Sequence, residues 1–367
     1  EVLAPSAEKW WVLAMGVDCA GEGYLSPDAF ESALQATRRW WSEQTAAVFS
    51  SGDAETDAWL RWVGAQPTLR RICGCSFLPH HDYGRGGRGW RDLWQDSLAL
   101  LLDNPRAVRD DLVRYFAGVR ADGTNATIIG RSAGEFLADR NHIVRIWMDH
   151  GYWPLVTTAL YVRQTGDLSI LTEKQPYFCD ARKERGSRLT DAPAEAVLTR
   201  DGAPVLATVL EHLLIENVTA FFDAGAHGCI RLRGADWNDA LDMAAENGES
   251  VAFTAAYAGN LKELASLCRA LARSGRETTA LSADFAELLL APEDAWTAPE
   301  ARNAARERYE RVCEARPLGD RDVSLPQIAA KLDGMSRFLT TLLRRQEFVT
   351  DGADQTWMNS HLDNLGH

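Results

Sequence analysis

The sequence predicts an all-α protein, and three observations carry that prediction. Apolar residues recur at three- and four-residue spacing through most of the 367 residues. Period-two alternation is scarce, and the best case, Asn-Ala-Thr-Ile-Ile-Gly at 125–130, is short. The segments between the helical stripes are of very unequal length and rich in Gly, Asp, Arg and Asn.

Taken in chain order, the stripes run through 27–47, 54–73, 90–102, 105–119 and 141–165. In 203–222 the apolar positions are Leu206, Leu210, Leu213, Leu214, Val218 and Phe221. In 255–272 they include Leu261, Leu264, Leu267 and Leu271. Further stripes follow at 279–290 and 297–315, and 326–344 carries Ile328, Leu332, Met335, Phe338, Leu339 and Leu342. About ten helices are expected. The long connections are 74–89, 120–140, 173–198 and 223–249. Long loops in a compact domain are commonly functional. Serial helices joined by such loops fit a toroid of helical hairpins with a site at one end. No repeat of 34 or 40 residues appears, which argues against a regular solenoid.

Bulk properties narrow the class. Hydrophobic content of 46% with 25% charged residues is that of a globular protein. A net charge of −13 argues against a nucleic-acid or anionic-membrane surface. No apolar run approaches the roughly 18 residues of a membrane span. The first residue is Glu1 and no charged-then-apolar leader follows. The expectation is a cytoplasmic chain that is a piece of something longer. The seven cysteines are scattered, and Cys73-x-Cys75 lacks the usual zinc spacing, so they read as reduced thiols. No metal is expected. The thirteen tryptophans suit either a core or a carbohydrate cleft, where indole faces stack on sugar C–H groups.

Three stretches could carry chemistry. In "HHDYGRGGRGWRDLWQD", residues 80–96, a glycine loop bears Arg85 and Arg88 just before a helix start near Trp90. Free N–H groups and the helix dipole favour an anion there. Within that helix Asp92 and Asp96 share a face, as do Arg91 and Gln95. The other reading is a solvated loop with Arg91 in salt bridges. In residues 135–167, Asp139, Asn141 and His142 precede a helix with Asp149, His150 and Trp153. Asp139 or Asn141 can serve as a helix cap. Asp149 and His150 read either as a metal or acid/base pair, for which a lone Asp-His is weak evidence, or, the better reading, with His150 as a structural histidine. In "RLRGADWNDALDMAAENGES", residues 231–250, Asp236, Asp239, Asp242 and Glu246 surround Trp237 and Asn238. That segment is either a solvated acidic turn or a catalytic acid whose pKa is raised against an indole.

In order, these motifs resemble the catalytic region of the inverting phosphorylases of glycoside hydrolase family 94 and its relatives. "GWRDLWQD", "MDHGYW" with "YVRQTGDLSIL", "ADWND" with a downstream "GES", and the closing "WMNSHLDNLGH" carry the likeness. It is good from about residue 55 to 270 and vague in 1–50 and 270–345. The resemblance implies an (α/α)6 toroid, here incomplete, with 1–50 as a helical lead-in and 51–367 as a catalytic domain truncated at its C-terminal end. It implies phosphorolysis of a β-glucosidic bond to α-glucose 1-phosphate. Carried over by position, Asp239 matches the general acid, Trp237 a wall of the donor-sugar subsite, and Arg91 and Asp96 residues holding its hydroxyls. Asp149 lies in a matching motif and is carried as a substrate-binding residue. Arg85 and Arg88 are carried as phosphate-binding.

In such a reaction phosphate is the nucleophile, so one carboxylic acid suffices where an inverting hydrolase needs two. The co-substrates are then an oligosaccharide and inorganic phosphate, with no cofactor, and a homodimer of the full-length protein is a further expectation. The family's phosphate-binding histidine lies beyond residue 367, and His80 and His81 are not safe substitutes for it. Three alternatives stand beside this reading. One is an inverting hydrolase on the same toroid. A second is a terpenoid-cyclase-like enzyme using Asp236 and Asp239 for Mg²⁺–diphosphate. The third is an inactive carbohydrate-binding fragment.

Overall fold

The structure, a computed structural model, describes residues 3–15, 21–45, 47–73, 88–130, 134–137, 146–178, 204–233, 244, 246–315, 319–352 and 355–367. The chain divides into two compact units, one ending at Leu69 and the other beginning at Arg70.

In the first unit lies α1 (Pro27–Gln44), and α2 (Ala54–Cys73) begins there and runs across the boundary. Ser26 caps α1 by accepting from the Ala29 N–H, and Pro27 sits at the first helical position, where its missing N–H costs nothing. No residue of α1 is buried.

The second unit holds the core. It contains α3 (Trp90–Asp103), α4 (Arg109–Tyr115), α5 (Trp153–Thr165), α6 (Val209–Phe222), α7 (Val251–Arg273), α8 (Ala283–Leu289), α9 (Pro299–Ala315) and α10 (Leu325–Gln346). Helix α6 is buried all round, with only Ala220 partly open. A helix buried on every side sits at the centre of the fold, and its polar residues Glu211, His212, Glu216, Asn217 and Thr219 are buried with it. Helices α7 and α9 pack against it, and α7 lies along α10. Leu261, Leu264 and Leu271 of α7 and Ile328, Leu332 and Leu339 of α10 are all buried in the same core cluster. Helix α3 packs on α5, where the Thr157 hydroxyl donates to the Trp94 carbonyl at 3.0 Å. The Trp94 ring meets the edges of Tyr115 and Phe116 at 5.3 and 5.1 Å. Trp90 and Trp94 are therefore core residues.

The mostly helical class holds, with ten α-helices among the described residues. The expected stripe at 279–290 opens instead as a strand. Thr278–Ser282 pairs antiparallel with Asp320–Ser324 over five residue pairs, and only then does α8 begin. Leu281 and Phe285 are both buried, so one apolar set is shared by a strand and a helix, and spacing alone reads it as one helix. The part of the 141–165 stripe that falls on described residues becomes a turn until Trp153, where α5 starts with Pro154 in its first turn. The anticipated strand at 125–130 is realised as Ile128–Ile129, which pairs antiparallel with Arg88–Gly89 on one side and Phe136–Leu137 on the other. Cys229 and Cys268 are buried free thiols. No described helix is long and apolar enough to cross a membrane.

The "TGDLSIL" tail is structural. Gly166 ends α5 with a left-handed φ of 71°. Asp167 then caps the next turn through the Ser169 N–H and accepts from Tyr161 Oη at 2.7 Å and Arg109 Nε at 2.8 Å. Burial opposes its charge, but these donors outweigh it and hold the carboxyl below its ordinary value.

Candidate active site

The described parts of the three motifs meet at the turn 147–152, the third through Arg233 at its edge. From α3, the Trp90 indole N–H donates to the His150 carbonyl at 3.1 Å. One residue on, the Arg91 guanidinium grips the Asp149 carboxylate with two bonds, Nη2 to Oδ1 at 2.7 Å and Nε to Oδ2. Both side chains are buried, and Arg91 also lies over the Trp147 ring, 5.4 Å from its centre. The Trp153 indole adds a third donor to Asp149 at 3.0 Å. Burial alone would raise this carboxyl. The bonds from Arg91 and Trp153 help to outweigh it, so the group stays below the usual carboxylate range.

Helix α7 holds the same turn from another side. Tyr257 Oη donates to the Met148 carbonyl at 2.7 Å, and Asn260 Nδ2 to the Tyr152 carbonyl at 3.1 Å. Gly151 lies close to α6 and α7 where the turn meets them. A Cβ there would stand 3.2 Å from both Glu216 Cβ and Tyr257 Oη. His150 is buried and stacked on Trp147 at 5.1 Å, and burial pushes its pKa down to about 3. It is therefore a neutral ring with a packing role, as expected of a structural histidine.

The third motif is reached through a small sheet. Ile230–Arg231 pairs with Glu249–Ser250, which pairs in turn with His361–Leu362. The Leu232 N–H donates to the Gly248 carbonyl at 2.9 Å, so the two flanks of residues 234–247 are tied together. Glu249 is buried and accepts from the backbone N–H groups of His227 and Cys229 at 2.9 and 2.8 Å, and Ser250 caps α7. The downstream "GES" is thus an anchor for the sheet and the helix that follows.

An isolated bridge pairs Trp147 with Arg233. It brings the residue just before Gly234 against the turn that carries Asp149. Arg233 adopts φ 53°, the left-handed region, at a cost of about 1–2 kcal/mol for a residue with a Cβ. Its guanidinium binds Asp223, the C-cap of α6, through Nε–Oδ2 at 2.9 Å and Nη2–Oδ1 at 2.6 Å. Between this pair and the turn lies a partly open pocket of about 30 Å³, enough for a water molecule. Asn125, Trp147, Gly151, Glu216, Arg231 and Tyr257 are among the residues lining it. Glu216 is fully buried and accepts from Asn125 Nδ2, and burial drives its carboxyl well above the ordinary value, which favours the neutral form.

Of the expected site residues, Arg91 and Asp149 are brought together and bind each other. Asp96 is half-buried and lies five residues along α3, about 140° around the helix from Arg91. The Arg88 backbone pairs with Ile129 in the small sheet at the mouth of α3. Arg85, Trp237 and Asp239 lie outside the described residues, as do Asp139, Asn141, His142, Asp236 and Asp242. Glu246 is exposed. Asp223, Glu216 and Arg233 were not foreseen. The signal for Glu216 was an acid within the apolar run "LLIENVTAFF", since a charge in such a run must be paired or neutralised. Among the described residues no cluster of three His, Cys, Asp or Glu side chains is placed to hold a metal ion.

No protein-family model matches the chain. It is 27% identical over 254 residues to the cyclic beta-(1,2)-glucan synthase NdvB of Rhizobium meliloti (strain 1021), a match covering 67% of this chain and 8% of that protein. It is 26% identical over 189 residues to the solabiose phosphorylase of Paenibacillus borealis, covering 51% of this chain and 20% of the relative. Against the N,N'-diacetylchitobiose phosphorylase of Vibrio furnissii it is 26% identical over 192 residues, covering 46% and 21%. The chain therefore spans 8–21% of the length of these curated relatives. The likeness is distant and partial, and its common ground is proteins that make or break glycosidic bonds.

Proposed function

We propose that the chain is part of an inverting glycoside phosphorylase built on an (α/α)6 toroid, releasing an α-sugar 1-phosphate from a β-linked oligosaccharide. The single observation that carries this reading is the convergence of three motifs far apart in sequence. Arg91 of "GWRD" binds Asp149 of "MDHGYW", and Trp147 of the same turn bridges to Arg233, immediately before "GADWND". The similarity to two disaccharide phosphorylases supports the same class.

In this reading Asp239 donates the proton to the glycosidic oxygen and phosphate attacks the anomeric carbon from the opposite face. The C–O bond to the leaving sugar breaks as the C–O bond to phosphate forms, so configuration inverts. Trp237 lines the donor sugar. Arg91, oriented by Asp149, and Asp96 hold its hydroxyls. Arg85 and Arg88 contribute positive charge on the side where phosphate enters.

The test is product formation from β-1,2-, β-1,3- and β-1,4-linked glucose oligosaccharides with and without phosphate. The linkage panel includes β-1,2 because the relative matched over the most residues is a β-(1,2)-glucan synthase. Sugar 1-phosphate formed only with phosphate supports the reading, and equal sugar release without phosphate would support a hydrolase. Asp239→Asn should abolish turnover while sugar binding persists.

A further inference from the structure

The bridge at Arg233 raises the question of what holds that residue in its left-handed conformation. Arginine gains nothing intrinsically from φ 53°, so its surroundings must impose it. Four contacts do so. The Arg231 N–H donates to the Asp223 carbonyl at 3.0 Å, and Arg231 Nε to the Ala224 carbonyl at 2.9 Å. Arg233 then closes on the Asp223 carboxylate with both nitrogens, at 2.9 and 2.6 Å. Both side chains reach the end of α6, Arg231 at the Ala224 carbonyl and Arg233 at the Asp223 carboxylate.

Asp223 is itself constrained. Its side chain is 5% exposed, and Arg306 of α9 brings Nε within 3.7 Å of the same Oδ1. Arg306 is held in turn by Glu310, whose Oε1 accepts from Nη1 at 2.6 Å. A carboxylate buried between two guanidiniums from different elements has a fixed position, and it transmits that position to Arg233. Beyond Arg233 the sequence continues through Gly234 and Ala235 to Asp236 and Asp239.

We propose that Asp223 and Arg233 are positioning residues, and that their ion pair sets the direction in which the chain leaves the strand Ile230–Arg231 for the segment that carries Asp239. The catalytic consequence rests on Asp239 as the acid; the structural consequence does not. This role requires no contact of either residue with the sugar or phosphate. The pair acts by fixing the stem from which the acid is presented, so its loss lowers kcat more than it changes KM.

The experiment compares Arg233→Gly, Arg233→Lys and Asp223→Asn with the wild-type chain by hydrogen exchange, alongside phosphorolysis kinetics. Glycine accepts the left-handed φ without strain, so Arg233→Gly removes the ion pair while leaving the backbone conformation accessible. Exchange in peptides covering 231–248 should accelerate roughly tenfold or more in Arg233→Gly and Asp223→Asn, while peptides from α6, α7 and α10 stay unchanged. Arg233→Lys keeps the charge and should recover part of the protection and part of kcat. Unchanged exchange across 231–248 in both disrupting variants would overturn the proposal. So would a uniform acceleration through α6, α7 and α10, which is the mark of a purely global stabiliser. If wild-type protein forms no product in phosphate, the phosphorylase reading fails, and the exchange data still decide the role of the pair.

Discussion

The Arg91–Asp149 pair gives a stability prediction with a definite size. Asp149 accepts two bonds from Arg91 and one from Trp153, and both charged side chains are buried. Asp149→Asn keeps the shape and removes the charge, so the Arg91 guanidinium loses the carboxylate it grips. Breaking one side of a buried pair costs about 3–5 kcal/mol. At about 2–4 °C per kcal/mol for a domain of this size, Tm should fall by roughly 6–20 °C. Arg91→Met strands the carboxylate instead and should cost a similar amount. The double variant Arg91→Met/Asp149→Leu removes both charges together. It should recover a large part of the loss, leaving a coupling energy of about 2 kcal/mol or more in a double-mutant cycle. The assay is urea denaturation followed by tryptophan fluorescence, with sugar binding measured on each folded variant. Single variants within about 1 kcal/mol of wild type, or strictly additive losses, would refute the argument that the pair holds the α3 start to the turn 147–152. A stable double variant that no longer binds sugar would assign Arg91 a ligand contact beyond its structural one.

Further outcomes follow from other groups. Glu211 is buried with its carboxyl pushed up to about 7, while the unfolded chain titrates near 4.5, so its contribution is present below 4.5 and lost as pH rises through about 7. The loss is roughly 3 kcal/mol, and Glu211→Gln should flatten it. Denaturation at pH 5 and pH 8 checks this, and equal wild-type and variant slopes would contradict it. Asp149 has the opposite sign. Its depressed carboxyl stabilises above the unfolded value of 3.8, and that contribution is lost as pH falls further. Gly225→Ala would place a Cβ 2.2 Å from Glu249 Cγ and Cδ, and should destabilise by about 2 kcal/mol or more by displacing the anchor of the small sheet. Ser250→Ala removes the N-cap of α7 and should cost about 1 kcal/mol in the same denaturation assay.

Much of the helical framework was legible from periodicity, because long amphipathic or fully apolar stretches bury a face that spacing reveals. Helices α2, α7 and α10 lie within a few residues of their stripes, whereas α6 starts at Val209, after the expected helical position Leu206 has been taken into the strand Leu206–Thr208. What escaped were strands of two to five residues, such as Thr278–Ser282 and Asp320–Ser324, whose pairing depends on a partner far along the chain. The role of Asp149 was half legible. The motif named it, but the sequence could not say that Arg91 would claim its oxygens, since the two lie 58 residues apart. Asp223 was invisible for a similar reason. A lone aspartate at a helix end looks like any other until Arg233 and Arg306 are folded around it. The "GES" element was read through resemblance, and its physical role as an acceptor for the His227 and Cys229 N–H groups emerged only from the fold.

The most direct measurement is the phosphate dependence of bond cleavage by the chain or the full-length protein that contains it. With a β-linked glucose oligosaccharide as substrate, ³¹P spectroscopy should show an α-sugar 1-phosphate that grows with inorganic phosphate and disappears in Asp239→Asn. Cleavage at the same rate without phosphate, or full activity in Asp239→Asn, would contradict the account.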